Sequence, residues 1–349
     1  MIRSALALAI GAGLTLTSCT GGSSSSSSSD TEPPSSPDTT TPPEWATIDR
    51  ALAELGPNVG FLAAAVTPDG TCDPIHEIER STARPTGSQF KLFVLGALAD
   101  QITGGQTSWD QTLTVQDATM SLGNGDGSLQ VAAPGTRVTV EEAATKMISI
   151  SDNTATDMLI GLIGRDEVAA RAGRWTADRS ANEPFLTTRE MLLLHYVPGL
   201  ADRYLATTQD DREAFLASSV APLPVGAIAA GYTDQPRYID TVEWFASPDG
   251  ICRAFAGLQE LAEDPQLAPL STVLSRATGG IEPDPSGWAT VWYKGGSEPG
   301  VLTLGWLATN NTGGTFVVQA MVSDPDAPLP PNAIDDLAAL AEQAFELLD

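Results

Sequence analysis

Strand-like patterns lie near both ends of this 349-residue chain, and helical patterns fill its middle. Continuous apolar segments bounded by turn residues predict strands, whereas apolar residues three and four apart predict helices. The predicted elements are a helix carrying Trp45, Ile48, Leu52 and Leu55, strands at 59–66 and 74–78, a buried helix from Ser88, helices at 138–150 and 154–163, strands at 301–306 and 315–321, and a last helix from about Ala333 with Ile334, Leu337, Ala341, Ala344, Phe345 and Leu348 on one face. We therefore predict an α+β fold, in which both chain ends form one antiparallel sheet lobe around an inserted all-helical lobe.

Residues 1–18 have the composition of an export signal. Arg3 supplies a positive charge, and the apolar run that follows is too short to span a bilayer comfortably. The run ends in Leu16-Thr17-Ser18-Cys19, which resembles the bacterial lipobox, where the cysteine is acylated after cleavage. We expect a lipoprotein signal peptide and a mature chain held by Cys19 at the extracytoplasmic face of the cell membrane. The alternative is an ordinary secretory signal with an incidental cysteine.

Residues 19–43 are rich in Ser, Thr, Pro and acidic residues, and they include a run of seven serines. This composition cannot bury a core, so we predict a disordered tether. Residues 44–349 are long enough for one two-lobed unit or two small domains, and we interpret them as one domain. The net charge of −26 argues against nucleic acid or anionic lipid as a partner.

Two further cysteines, Cys72 and Cys252, lie in the predicted domain. An exported chain can pair them in a disulfide, and the alternative is two buried thiols. The histidines His76 and His195 lack metal-ligand spacing, so no metal or other cofactor is expected. His195 is better explained as a helix-surface or hydrogen-bonded core residue.

Lysine is scarce in this chain, with three lysines against fifteen arginines. Lys91 ends the S-x-x-K motif that begins at Ser88, and Lys294 begins Lys-Gly-Gly, a near-match to K-T-G. Ser88 and Lys91 are three residues apart at the start of a predicted helix, so their side chains share one face. A buried amine can lose its proton and act as a base, which an arginine cannot do in a protein. The third lysine, Lys146, has no predicted role.

A third motif, Ser151-Asp152-Asn153, lies between the other two. With these three motifs in order, the chain resembles class A β-lactamases and related penicillin-binding serine hydrolases over about residues 45–348. Two further runs, EPFLTTREM at 183–191 and KGGSEPGVL at 294–302, resemble a narrower actinobacterial branch. That branch holds β-lactamase-like lipoproteins and a relative from the clavulanic acid pathway.

The resemblance implies a role for each matched residue of the first two motifs. Ser88 is expected to be the acylated nucleophile and Lys91 its general base. Ser151 is expected to relay a proton to the leaving group. Asn153 is expected to contact both Lys91 and the side-chain amide of the substrate. For Asp152, a turn-stabilising role is the simpler interpretation.

The third motif is expected to bind the substrate. Lys294 would lie on a strand beside the nucleophile and attract a substrate carboxylate. Gly296 and Ser297 would continue that strand along the substrate, and the backbone N–H groups of Ser88 and Ser297 would form the oxyanion hole.

Two positions depart from the family pattern. Gly295 replaces the hydroxyl residue of K-T-G, which weakens carboxylate recognition unless Ser297 compensates. Glu183 begins Glu-Pro-Phe-Leu-Thr, which echoes the E-P-x-L-N loop whose glutamate activates the deacylating water, but here a threonine replaces the asparagine and the loop is shortened. Glu183 is thus either a deacylation base or an exposed loop acid.

The sequence predicts a monomeric, membrane-anchored serine hydrolase that forms an acyl-enzyme at Ser88. Its substrates would be β-lactams, esters or amides, with inefficient deacylation of β-lactams. Two alternatives stay open: a D,D-peptidase acting on cell-wall peptides, and a non-catalytic binding lipoprotein on a β-lactamase-like fold. The segment from His195 to Thr290 is expected to add helices near the mouth of the site.

Overall fold

The computed structural model describes residues 42–348, apart from 123–127, 177–179 and 282–286. The predicted signal peptide, Cys19 and nearly all of the predicted tether lie outside the described residues. The described part from Pro42 onward belongs to one compact unit. Of the helices in this described part, none is long and apolar enough to cross a membrane.

The order of strands and helices along the chain follows the order predicted from the apolar patterns. The strands are β1 (Asn58–Val66), β2 (Cys72–Ile78), β3 (Arg84–Pro85), β4 (Thr112–Thr114), β5 (Arg137–Thr139), β6 (Phe245–Ala246), β7 (Trp288–Glu298), β8 (Val301–Asn310) and β9 (Thr315–Ser323). The helices are α1 (Pro43–Leu55), α2 (Lys91–Thr103), α3 (Val140–Ser149), α4 (Asn153–Ile163), α5 (Arg165–Trp175), α6 (Thr188–Tyr196), α7 (Leu200–Leu205), α8 (Arg212–Phe215), α9 (Gly226–Gly231), α10 (Pro248–Leu261), α11 (Pro269–Leu274) and α12 (Ala333–Glu346). A 3₁₀ turn at Gly87–Phe90 leads directly into α2.

The large sheet joins the two ends of the chain. Its five strands follow the order β2-β1-β9-β8-β7, and all neighbouring strands are antiparallel. The early strand β1 pairs along its whole length with the late strand β9, from Asn58 opposite Ser323 to Val66 opposite Thr315. The predicted α+β fold, with a sheet made from both chain ends, is confirmed.

The two faces of this sheet are covered by different elements. The terminal helices α1 and α12 pack on one face, where Leu52, Leu337 and Phe345 share a core cluster with Trp306 of β8. The other face packs against the helical part of the chain, with α10 in contact with β1, β8 and β9. Ile334 lies in the first turn of α12, and its side chain is 54% exposed and borders a cavity.

Helix α2 lies at the centre of the helical lobe. Its apolar side chains are buried on all sides, as predicted for a helix whose residues are apolar around its whole circumference. Helix α3 begins two residues later than predicted, because Val138 and Thr139 belong to β5 and Thr139 caps the helix. The Thr139 side chain accepts from the Glu142 N–H, and the Glu142 carboxylate accepts from the Thr139 N–H.

A disulfide joins the sheet to the helical lobe. Cys72 of β2 is bonded to Cys252 of α10, with a sequence separation of 180 residues. The structure thus selects the disulfide over two buried thiols. Closing so long a loop restricts the unfolded chain, which stabilises the fold by a few kcal/mol in the chain-entropy model (about 2–5 kcal/mol).

Candidate active site

Ser88 lies in the 3₁₀ turn that leads into α2, and this turn is held from one side by the segment before β6. Thr86 donates its backbone N–H to the Trp244 carbonyl at 2.9 Å. Gly87 has a φ of +47°, a region that favours glycine, and donates its N–H to Glu243 Oε1 at 2.7 Å. The Trp244 ring stacks on Phe90 with 3.6 Å between centroids. The turn carrying Ser88 is therefore fixed by backbone, carboxyl and aromatic contacts.

The other side of the turn that carries Ser88, called the nucleophile turn below, packs against the large sheet. A Cβ atom on Gly296 would lie 2.3 Å from the Thr86 carbonyl oxygen and 2.5 Å from the Ser88 nitrogen, so only glycine allows β7 to approach this closely. Thr303 of β8 donates its hydroxyl to the Thr86 carbonyl at 2.7 Å. This approach places the start of α2 directly against the strand that carries Ser297.

A reciprocal amide pair lies beneath the nucleophile. Gln89 Nε2 donates to Gln319 Oε1 at 2.9 Å, and Gln319 Nε2 donates to Gln89 Oε1 at 2.9 Å. Gln89 Nε2 also lies 3.0 Å from the Lys294 carbonyl oxygen. Both glutamines are fully buried, and the pair links the nucleophile turn to the central strand β9.

Lys91 is the centre of the polar cluster. Its Nζ lies 3.0 Å from Ser88 Oγ, 3.1 Å from Ser151 Oγ, 2.7 Å from the Ser151 carbonyl and 2.7 Å from Asn153 Oδ1. A neutral amine has two N–H donors and one lone pair, and the two hydroxyls are the groups that can donate to that lone pair. The structure therefore brings the predicted nucleophile and the predicted relay to the same amine.

The protonation of Lys91 is set mainly by burial. Its side chain is fully buried, and desolvation lowers its pKa to about 7, although the negative charges of Asp157 and Asp152 act to raise it. Asp157 is itself buried, and burial raises its pKa to about 7 against the stabilising N–H groups of Arg189 and Thr188. A neutral lysine is thus well populated near pH 7, as a general base requires.

The Ser151-Asp152-Asn153 segment forms the break between α3 and α4. Ser151 has a φ of +57°, which is unusual for a serine and points its hydroxyl at both lysines. Asp152 caps α4 by accepting from the Ala155 N–H, and its other oxygen accepts from the Leu129 N–H at 2.5 Å. The turn-stabilising role expected for Asp152 is confirmed. Asn153 donates its Nδ2 to the Leu122 carbonyl at 2.6 Å.

Lys294 lies opposite Lys91 across Ser151. Its Nζ donates to Ser151 Oγ at 3.1 Å and to the Gly295 carbonyl at 2.5 Å. Burial, together with the nearby charge of Lys91, lowers the pKa of Lys294 well below its usual range. Two amines therefore share one serine hydroxyl, which gives a path for a proton between Lys91 and Ser151.

Two cavities meet at Ser88 and Ser297. The aromatic cavity, of about 320 Å³, is bordered by Phe90, Met191, Tyr196, Tyr232, Trp244 and Glu298. The lysine cavity, of about 250 Å³, is bordered by Ile150, Ser151, Tyr293, Lys294, Gly295 and Ile334. Because both cavities reach Ser88, a substrate carbonyl at this serine can extend groups to either side. The segment after His195 contributes Ile228, Tyr232 and Trp244 to the aromatic cavity, as expected.

Glu183 does not border either cavity at Ser88. It lines a separate cavity with Asp166, Asp210 and Glu213, next to the cis peptide bond between Glu183 and Pro184. The structure brings Ser88, Lys91, Ser151, Asn153, Lys294, Gly296 and Ser297 together and leaves Glu183 apart from them.

A buried pair of acids beside the aromatic cavity was missed at the level of sequence. Glu243, which is 4% exposed, holds the Gly87 N–H, and burial plus the charge of Glu298 raises its pKa well above the usual range. Glu298 lies 3.4 Å from His195 Nδ1, and His195 is a core residue that donates its Nε2–H to the Val242 carbonyl at 2.6 Å. Glu298 could have been predicted to lie near the site, because it directly follows Ser297. No sequence pattern points to Glu243.

Comparison with known proteins supports the fold. Residues 46–213 match the model of the β-lactamase enzyme family. No curated protein matches the sequence at a significant level. A β-lactamase from Sphaerobacter thermophilus is 22% identical, with a TM-score of 0.56 over 88% of this chain and 98% of that one.

Two further solved structures have the same architecture. A β-lactamase from Chitinophaga pinensis is 15% identical, with a TM-score of 0.61 over 88% of this chain and 99% of that one. A PBP-A variant, solved as an acyl-enzyme complex with penicillin G, is 17% identical, with a TM-score of 0.57 over 88% of this chain and 99% of that one. The chain therefore has the fold of these β-lactamases and of PBP-A, and over residues 46–213 it is similar to the β-lactamase enzyme family.

Proposed function

We propose that this protein is a serine hydrolase that forms an acyl-enzyme at Ser88 with β-lactam, ester or amide substrates. The observation that carries the proposal is the position of Lys91 Nζ, 3.0 Å from Ser88 Oγ and 3.1 Å from Ser151 Oγ. An amine with a pKa of about 7 at this position can accept the nucleophile's proton.

Acylation proceeds in three proton transfers. Neutral Lys91 takes the Ser88 hydroxyl proton as Ser88 Oγ attacks the substrate carbonyl carbon, and the backbone N–H groups of Ser88 and Ser297 bind the oxyanion. The bond to the leaving group then breaks while Ser151 gives its proton to the leaving atom, and Lys91 returns a proton to Ser151. The products are a Ser88 ester, a protonated leaving group and a neutral Lys91.

Two comparisons support this chemistry. A PBP-A variant with the same fold was solved as an acyl-enzyme complex with penicillin G. Residues 46–213, which include Ser88, Lys91 and Ser151, match the β-lactamase enzyme family. We further propose that the chain belongs to the actinobacterial lipoprotein branch, on the strength of its residues 183–191.

Deacylation of β-lactams is proposed to be inefficient. Hydrolysis of the ester needs a base that activates water near Ser88, and Glu183 lies in a separate cavity with Asp166, Asp210 and Glu213. We therefore expect Glu183→Gln to leave deacylation unchanged, whereas a marked slowing of deacylation would restore Glu183 as the base.

The decisive experiment compares the soluble domain with its Ser88→Ala variant. Both are incubated with a fluorescent penicillin, a chromogenic cephalosporin and a nitrophenyl ester. Ser88-dependent ester turnover with a persistent penicillin adduct is the expected result. Rapid release of cephalosporin product would show an efficient β-lactamase, and release of D-alanine from cell-wall peptides would show a D,D-peptidase. No Ser88-dependent signal with any substrate would favour a binding lipoprotein.

We also propose that Cys19 is lipidated and holds the protein at the extracytoplasmic face of the membrane. The support is the lipobox-like Leu16-Thr17-Ser18-Cys19 after an apolar run. Labelling of expressing bacteria with an alkyne fatty acid should mark the native chain and not a Cys19→Ala variant. Equal labelling of both chains would overturn the anchor.

A further inference from the structure

Tyr293 occupies the space that a side chain at position 295 would fill. Tyr293 and Gly295 are two residues apart on β7, so they lie on the same face of the strand. A Cβ atom built on Gly295 would lie 2.1 Å from the Tyr293 hydroxyl oxygen. Gly295 has no side-chain hydroxyl, but the Tyr293 hydroxyl lies where the side chain of residue 295 would begin.

The Tyr293 ring is held in a defined orientation. It packs against Trp306 of β8 with 5.4 Å between ring centroids. A Cβ atom on Gly279 would lie 2.1 Å from the ring carbon Cε2, so glycine at this position leaves room for the ring. Contacts on both sides restrict where the hydroxyl can point.

Tyr293 borders the lysine cavity together with Ser88, Ser151 and Lys294. Its hydroxyl forms no hydrogen bond with any residue that the structure describes. Burial raises its pKa to about 12, so the phenol keeps its proton throughout the neutral range. The cavity that Ser88, Ser151 and Lys294 border is therefore also bordered by a tyrosine that remains an O–H donor.

We propose that Tyr293 determines specificity by donating its Oη–H to a carboxylate of the substrate, in place of the side chain that Gly295 lacks. This inference rests on the proposed acyl transfer at Ser88 and deepens it. The favoured substrates are acyl donors that carry a carboxylate close to the scissile bond. A hydrogen bond to a charged group contributes enough to change affinity by about tenfold or more.

The first test removes only the hydroxyl. Acylation of native protein and Tyr293→Phe is measured with a chromogenic cephalosporin, its methyl ester and an uncharged nitrophenyl ester. We expect Tyr293→Phe to slow acylation by the free acid about tenfold and to leave the two uncharged substrates unchanged. The matched control is Tyr238→Phe, which removes a hydroxyl bound to Asp202 at a position that borders neither cavity. Equal slowing with all three substrates, or no slowing, would overturn the role.

A second test removes the hydroxyl from position 293 and introduces one at position 295. Tyr293→Ala combined with Gly295→Thr should recover part of the preference for the free acid, because the threonine side chain fits once the phenol is absent. Tyr293→Ala alone should lack that preference. If the double variant discriminates no better than Tyr293→Ala, a hydroxyl at this place does not select carboxylates.

A binding measurement tests this inference independently of the proposed acylation at Ser88. In a Ser88→Ala background, calorimetry compares binding of the cephalosporin acid and its methyl ester with and without Tyr293→Phe. A loss of about tenfold for the acid alone supports the inference even if the native protein acylates nothing. Unchanged binding of the acid would overturn it even if acylation at Ser88 is established.

Discussion

The aromatic cavity and the lysine cavity meet at Ser88, but different ionisable side chains lie near each of them. Two lysines lie near one cavity and two glutamates near the other. Lys91 and Lys294 both contact Ser151 at the lysine cavity, and their pKa values are lowered. Glu298 borders the aromatic cavity, and its charge, together with burial, raises the pKa of Glu243. Burial favours the neutral forms of Lys91, Lys294 and Glu243, and a like-charged neighbour adds to this effect at Lys294 and Glu243.

This comparison separates two tasks. The amines lie where the proposed acylation would move protons between Ser88, Ser151 and a leaving group. The acids lie behind the turn that positions Ser88, where Glu243 binds the Gly87 N–H. We infer that the lysine cavity supplies proton transfer and that the acids beside the aromatic cavity supply positioning.

The largest expected effect comes from Lys91→Arg. The charge is kept, but a guanidinium cannot release its proton, so acylation should fall by about 10²–10⁴-fold, the usual contribution of general base catalysis. Mass spectrometry of the Ser88 adduct measures this rate. The control is Lys146→Arg, the same change at the lysine outside both cavities, which should acylate normally. A functional Lys91→Arg variant would contradict a base role for this side chain.

A smaller loss is expected when the sheet is pushed away from the nucleophile turn. Gly296→Ala places a Cβ atom against the Thr86 carbonyl and the Ser88 nitrogen. Displacing the Ser297 N–H from the oxyanion should slow acylation about 100-fold, similar to the loss of one oxyanion donor. Thermal unfolding of the same sample reports whether the fold survives.

Gly161→Ala is the matched control for that change, because nothing lies within 4 Å of the added atom. It should leave acylation unaltered. If Gly296→Ala also acylates at the native rate in a folded protein, the close approach of β7 has no part in catalysis.

The pH dependence of acylation tests the lysine pair. Below its pKa of about 7, Lys91 is protonated and cannot accept the Ser88 proton. The rate should therefore rise about tenfold per pH unit below that value and level off above it. Stopped-flow acylation between pH 5 and pH 9 is the measurement, and a rate that already levels off well below pH 7 would place another group in the role of base.

The smallest effect is expected at the buried acids. Glu243→Gln keeps an oxygen that accepts from the Gly87 N–H and removes a charge that burial already disfavours, so acylation should stay within about threefold of native. Glu243→Ala removes the acceptor, and about tenfold slower acylation is expected. If the Gln variant were as slow as the Ala variant, the charge of Glu243 would matter beyond positioning.

Local patterns explain which parts of the site could be predicted. Ser88 and Lys91 are one helical turn apart, so the sequence alone places them in contact. The meeting of Ser151 and Lys294, 143 residues apart, was available only through the family resemblance. No periodicity joins Glu243, Glu298 and His195, which approach one another only through the packing of β7 against α6 and the segment before β6.

The fold shows the same limit. Long segments with consistent periodicity, such as β1, α2, β9 and α12, were predicted, because their burial depends on their own residues. The two-residue pair β3 and β6 was missed, because neither strand has enough residues for a pattern. The exposure of Ile334 could not be predicted, since it depends on what lies opposite the first turn of α12.

The glutamine pair beneath the nucleophile has a consequence for the timing of activity during synthesis. Gln89 depends on Gln319, which the ribosome adds 230 residues later, in the last strand of the sheet. We expect a nascent or truncated chain without β9 to leave the Gln89 amide unpaired and the nucleophile turn unsupported. The reactivity proposed for Ser88 would then arise only when the sheet closes, and incomplete chains would be shielded from acylation.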